Sequence, residues 1–131
     1  MQAWLKKARI AGSAALAGAA WIYWSAMRGA PPEMARVVID GRAYRVQVAR
    51  TPEDRTRGLS GPLVQGRDGM LFLFPRPERP CFWMRDTRTD IEIAFMDEDW
   101  RVFQTARLKA HDETPVCADR ETDRVLEMFV P

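Results

Sequence analysis

The densest chemistry-bearing stretch of the chain is Phe82-Trp83-Met84-Arg85-Asp86-Thr87. An aromatic ring beside a guanidinium, a carboxylate and a hydroxyl can stack on a flat ligand and orient it by hydrogen bonds. Alternate side chains of a strand point to opposite faces. Phe82 and Met84 then read as core, Trp83 as the outward platform, and Asp86 and Thr87 as a turn. Asp86, Asp90 and Glu92 place three carboxylates close together in sequence. Such groups can do acid–base chemistry or hold a hard cation. The glycine and bidentate glutamate of a calcium loop are missing, so no metal site and no catalytic set is assigned. Arg57 and Arg85 can hold an anion or close ion pairs with Asp86 or Glu92. The candidate ligand-binding set is therefore Trp83, Arg85, Asp86, Thr87, Glu92 and Arg57.

Nucleophile patterns are weaker. His111 is the only histidine and sits in a loop with Asp112 and Glu113. Ser60 lacks the strand–turn–helix setting of a nucleophile elbow. Cys81 and Cys117 are the only cysteines, and their spacing matches no zinc motif. An exported domain can pair them. With no geometry to bring them together, two separate buried thiols is the simpler reading. No cofactor is implied.

The elements that must position these residues are mostly strands. Val37-Val38-Ile39, Asp40-Gly41 and Tyr44-Arg45-Val46-Gln47-Val48 read as a hairpin, because Asp-Gly accepts the positive φ of a tight turn. Thr51 caps a short helix with Pro52 in its first turn, and Gly58 closes it, leaving Leu59 as an apolar plug. Gly69-Met70-Leu71-Phe72-Leu73-Phe74 lacks polar alternation and predicts a strand covered on both faces. The proline-rich run at residues 75–80 is excluded from any central strand. Residues 91–96, 102–108 and 125–130 supply further strands, with Asp97-Glu98-Asp99 as a turn. The pattern predicts a mostly β fold, a compact small sandwich or barrel of about six short strands with one short helix.

An N-terminal hydrophobic helix is expected ahead of that domain. Residues 10–27 carry no charge and follow Lys6, Lys7 and Arg9. Eighteen helical residues span about 27 Å, close to the thickness of a bilayer core. Trp21, Tyr23 and Trp24 gather at the far end, where aromatic rings prefer the interface. The segment reads as an anchor with its basic end inside, or as a cleaved signal with a site near Ala17-Gly18-Ala19. The organisation is residues 1–27 as anchor or signal, 28–35 as a Pro31-Pro32 linker, and 36–131 as the domain. The formal charge of +2 is misleading, because the first 35 residues hold Lys6, Lys7, Arg9 and Arg28 against one acid, Glu33, and the rest comes to about −1. What remains interleaves Arg with Asp and Glu, which excludes a nucleic-acid stripe.

The blocks Arg57-Gly58-Leu59, Gly69-Met70-Leu71-Phe72-Leu73-Phe74, Phe82-Trp83-Met84-Arg85-Asp86-Thr87, Ile91-Glu92-Ile93-Ala94-Phe95 and Val125-Leu126-Glu127 resemble the DUF192 (UPF0127) family over about residues 37–128. The chain departs from the family pattern at Asp86, where asparagine is usual, at Glu92, where aspartate is, and at Ser60, where methionine is common. The resemblance implies a compact, mostly β domain, often behind a signal or membrane segment. It brings no reaction and no cofactor.

These readings converge on a non-enzymatic ligand- or protein-binding module tethered to a membrane, its domain on the periplasmic or extracellular side, or secreted after cleavage. The alternatives are a small hydrolase-type enzyme using the carboxylates near Trp83, and a structural or assembly factor of the cell envelope. The expected partners are the membrane, through the N-terminal helix, and a small ligand or envelope protein.

Overall fold

The computed structural model describes residues 31–61 and 65–131. The expected N-terminal helix, and its reading as anchor or signal, lie outside them. Among the described residues no helix is long and apolar enough to cross a membrane.

The chain runs β1 (Met34–Ile39), β2 (Arg42–Ala49), α1 (Pro52–Arg57), β3 (Gly69–Glu78), β4 (Cys81–Phe82), β5 (Ile91–Met96), β6 (Val102–Leu108), β7 (Val116–Cys117) and β8 (Thr122–Phe129). Six strands form one sheet in the order β1-β2-β3-β8-β5-β6, and β4 pairs with β7 as a separate ribbon. The sheet is antiparallel except where β2 meets β3, the one connection that carries the helix. β1 and β6 are its two edges, so it does not close into a barrel.

Local chemistry explains the best-predicted pieces. Asp40 and Gly41 both adopt positive φ, 49° and 78°, as a two-residue hairpin loop requires. The hairpin begins at Met34, which pairs with Gln47, so Met34 and Ala35 belong to β1 and not to the linker. Thr51 caps α1 by accepting the Asp54 N–H at 3.1 Å, and Gly58 ends it at φ 52°. Leu59 is buried behind it.

The exclusion of the proline-rich run needs correcting. β3 continues through Pro75 and Pro77 to Glu78. Its pairing with β2 ends at Phe72, and its register against β8 slips between Leu73 and Glu78. The prolines therefore sit where one side of the strand has no neighbour, and their missing N–H groups disrupt no ladder.

Both sheet faces carry core. Met70, Phe72, Ile91, Ile93, Phe95 and Val125 pack on one face with Leu59, Met84 and Ala118. Val46, Leu71, Met96 and Leu126 form a smaller core on the other, joined by Val37, Ile39 and Trp100. β3 and β8 approach so closely that a Cβ on Gly69 would collide with the Glu127 carbonyl oxygen. Only glycine fits there.

The two cysteines are bonded to each other. The reading as separate buried thiols is overturned. β4 and β7 set Cys81 directly opposite Cys117, a pairing between residues 36 apart that no local pattern announces. Neither cysteine is buried.

Candidate functional site

On the larger core's face a cleft of about 670 Å³ opens between α1 with its following turn and the segment from Cys81 to Thr87. Three backbone bonds fix the second wall. The Met84 N–H donates to the Asp112 carbonyl at 2.8 Å, the Thr87 N–H to Met84 at 3.1 Å, and the His111 N–H to Thr87 at 3.1 Å. Asp86 turns the chain at φ 56°, a conformation that aspartate tolerates better than most residues. The Gly61 N–H donates to the Asp86 carbonyl at 2.9 Å, which ties the two walls together.

Alternation sorts the aromatic block as its strand character predicts. Met84 is buried. The Phe82 ring meets Phe72 edge-on with centroids 4.9 Å apart, and Phe95 at 6.0 Å. Trp83 points away from them and stays 52% exposed. Arg85 stacks on the Trp83 ring at 4.7 Å and bonds Glu113 at 2.7 Å. That bond raises its already high pKa. Arg57 faces Asp54 at 3.6 Å. Arg55 donates to the Arg50 and Leu73 carbonyls and covers the Phe74 ring at 5.1 Å.

The structure brings Trp83, Arg85, Asp86, Thr87 and Arg57 to this one cleft, with Thr87 buried in its wall. It does not bring Glu92. Glu92 lines a second cleft, of about 490 Å³, on the opposite sheet face with Ile39, Met96 and Val102. Ile91, Ile93 and Phe95 take the inward parity of β5, which turns Glu92 outward. Asp90 is separate again, accepting the Ala110 N–H at 2.9 Å and facing Arg107 at 3.6 Å. Among the described residues no group of three ligating side chains could hold a metal ion. The Ser60 hydroxyl donates to the Arg57 carbonyl, and the disulfide removes both thiols as nucleophiles for His111.

One residue of the cleft was missed from sequence: Glu127. It lies in β8 between Met70 of β3 and Ile93 of β5, and it is only 4% exposed. With these apolar neighbours, burial pushes its carboxyl up to about 8. The signal was present in the parity of β8. Val125, Glu127 and Phe129 share a face, so an acid stands between two apolar residues at an inward position.

The family model for DUF192, described as Uncharacterized ACR, matches residues 35–129. The chain belongs to the DUF192 family. The crystal structure of a protein of unknown function from Novosphingobium aromaticivorans DSM 12444 is similar at 31% identity and a TM-score of 0.60, covering 73% of this chain and 71% of that one. A candidate transcription regulator from Sinorhizobium meliloti 1021 shares the fold at 23% identity and a TM-score of 0.61, over 76% of this chain and 81% of that one. No curated protein matches the chain. The DUF192 match spans every element that lines the cleft, from α1 to the Glu127 of β8.

Proposed function

We propose that this domain is a binding module for a small ligand, held at the outer face of a membrane by the apolar N-terminal segment. The observation that carries the binding reading is the half-exposed Trp83 on a cleft that also holds a buried carboxyl. A large ring left in water beside a cavity, with its neighbours Phe82 and Met84 already filling the core, is available to a ligand at little cost to the fold. The tethering rests on the basic start of the chain followed by eighteen uncharged residues and an aromatic cluster.

Binding is favoured over hydrolysis by what the cleft lacks among the described residues. The serine and the cysteines offer Glu127 no nucleophile to activate, since the Ser60 hydroxyl is committed to a carbonyl and both cysteines are bonded. Acid–base work needs such a partner within reach.

The test is native mass spectrometry of the full-length protein extracted in detergent, alongside Trp83→Ala. The expected result is a small molecule released on denaturation of the wild type and missing from the variant, with both proteins melting within a few degrees of each other. An unfolded variant would place Trp83 in the core, and a wild type carrying nothing would remove the ligand; either result overturns the reading.

A further inference from the structure

We infer that Glu127 is the polar anchor of this cleft for an uncharged hydrogen-bonding group, an amide or a hydroxyl, on a ligand with a flat apolar body; the inference rests on the reading of the cleft as a binding site. Glu127 is almost wholly enclosed, and its strand neighbours Met70 and Ile93 offer it nothing polar. Among the described residues burial alone acts on its carboxyl, with no hydrogen bond or charge offsetting it. Among the described residues the one fully enclosed side-chain atom without a partner is Arg67 Nε. The Glu127 carboxyl is not such an orphan, but so little of it is exposed that it gives up most of its hydration on folding. A leucine or glutamine would fill the same space. The carboxyl does open on the cleft, so the group that completes it comes from outside.

The chemistry of that group follows from the surroundings. With its acidity suppressed by burial, the carboxyl keeps its proton at neutral pH. It then presents one O–H donor beside one carbonyl acceptor. An amide matches both, and a hydroxyl matches either. A cationic group would have to draw the proton off and bury an ion pair, which costs desolvation of both charges. The charged side chains that line the cleft are Arg55 and Arg57 from α1 and its end, Glu78 from β3, and Arg85 and Asp86 from the turn after β4. Positive groups outnumber negative ones there, which further disfavours a cation. Phe72, Phe82, Leu59 and Trp83 supply the apolar and aromatic walls that a flat body needs.

Benzamide and benzamidine separate the possibilities, because they share a shape and differ in charge. Their binding to the full-length protein is measured by calorimetry between pH 6.5 and 9. Benzamide is expected to bind more tightly than benzamidine at pH 6.5, and to weaken about tenfold by pH 9 as the carboxyl gives up its proton. Glu127→Gln, which keeps a donor and an acceptor, is expected to bind benzamide without that pH dependence. A flat wild-type pH profile, or benzamidine binding as tightly as benzamide at pH 6.5, overturns the inference. If Trp83→Ala abolishes benzamide binding while Glu127→Gln keeps the wild-type pH profile, the cleft binds but Glu127 is not its anchor. Failure of both probes at pH 6.5 overturns the anchor outright, whereas loss of the co-purified ligand in Trp83→Ala would still uphold the binding reading.

Discussion

The two faces of the sheet carry the same kinds of residue and put them to different use. Strand β8 serves both, with Val125 and Glu127 on one side and Leu126 on the other. The first side is roofed by α1 and by the β4–β7 ribbon, whose Phe82 ring meets Phe72 and Phe95 of the sheet. Among the described residues the second carries the smaller core, with Val37 and Ile39 of β1, Leu73, Met128 and Trp100 packed against it. Each side has a cleft with a glutamate in its lining, yet Glu127 is enclosed and Glu92 stands in solvent. Cover, and not residue type, decides whether a carboxylate becomes a chemical group or remains a surface charge.

That contrast breaks first where the cover is pinned. β4 and β7 contribute two residues each, too few to hold as an isolated hairpin. The Cys81–Cys117 bond closes a loop spanning 36 positions, and the chain-entropy model gives such a closure about 4 kcal/mol. Cys81→Ser with Cys117→Ser is therefore expected to lose several kcal/mol in urea unfolding. The benzamide site, walled by Cys81 and Trp83, should weaken with it. A loss below about 1 kcal/mol would show that Arg79, bonded to the Ala118 and Asp119 carbonyls, holds the ribbon without the bridge.

The next largest effect concerns Glu127 itself. Its folded-state pKa lies near 8, above the ordinary 4.5. Below pH 4.5 both states are protonated and the fold has its full stability. Between 4.5 and 8 the unfolded chain gives up the proton and the folded one does not, so stability falls by about 1.4 kcal/mol per pH unit. By pH 7 the loss is on the order of 3 kcal/mol, and above 8 it levels off. Glu127→Gln should remove this slope and leave the variant the more stable protein at pH 7. Urea titrations at pH 5, 6, 7 and 8 would decide; a wild type as flat as the variant would mean that Glu127 is as solvated as Glu92.

Some of this was legible in the sequence because its causes are local. Thr51-Pro52 and Gly58 bound α1, Asp40-Gly41 turn the hairpin, and residues 91–96 and 102–108, read as strands on either side of the Asp97-Glu98-Asp99 turn, are β5 and β6 over their full lengths. What failed needed partners distant in the chain. Val116-Cys117 is a strand only because Cys81-Phe82 lies across from it. Pro75 and Pro77 are tolerated because β2 ends before reaching them. The candidate site divides the same way. Residues 83 to 87 fall together because one turn carries them, and Arg57 joins because α1 forms the facing wall. Glu92 was grouped with them by proximity in sequence, but strand parity sends it through the sheet. Glu127 was overlooked because its partners Met70 and Ile93 come from two other strands.

The smallest expected effect is the control for the comparison. Glu92 sits across from Arg107 on β6 and Met128 on β8, and Arg107 already faces Asp90 at 3.6 Å. An opposite-charge cross-strand pair on an exposed surface contributes roughly 0.2–1 kcal/mol, and here Arg107 keeps a second acid when Glu92 is lost. Glu92→Gln should therefore change stability by about 0.5 kcal/mol or less, leave the slope between pH 4.5 and 8 as in the wild type, and leave benzamide binding untouched. A Glu92→Gln variant that flattened the slope would mean that the second face encloses its carboxylate as the first does. The distinction between the two sides of β8 would then rest on geometry with no chemical consequence.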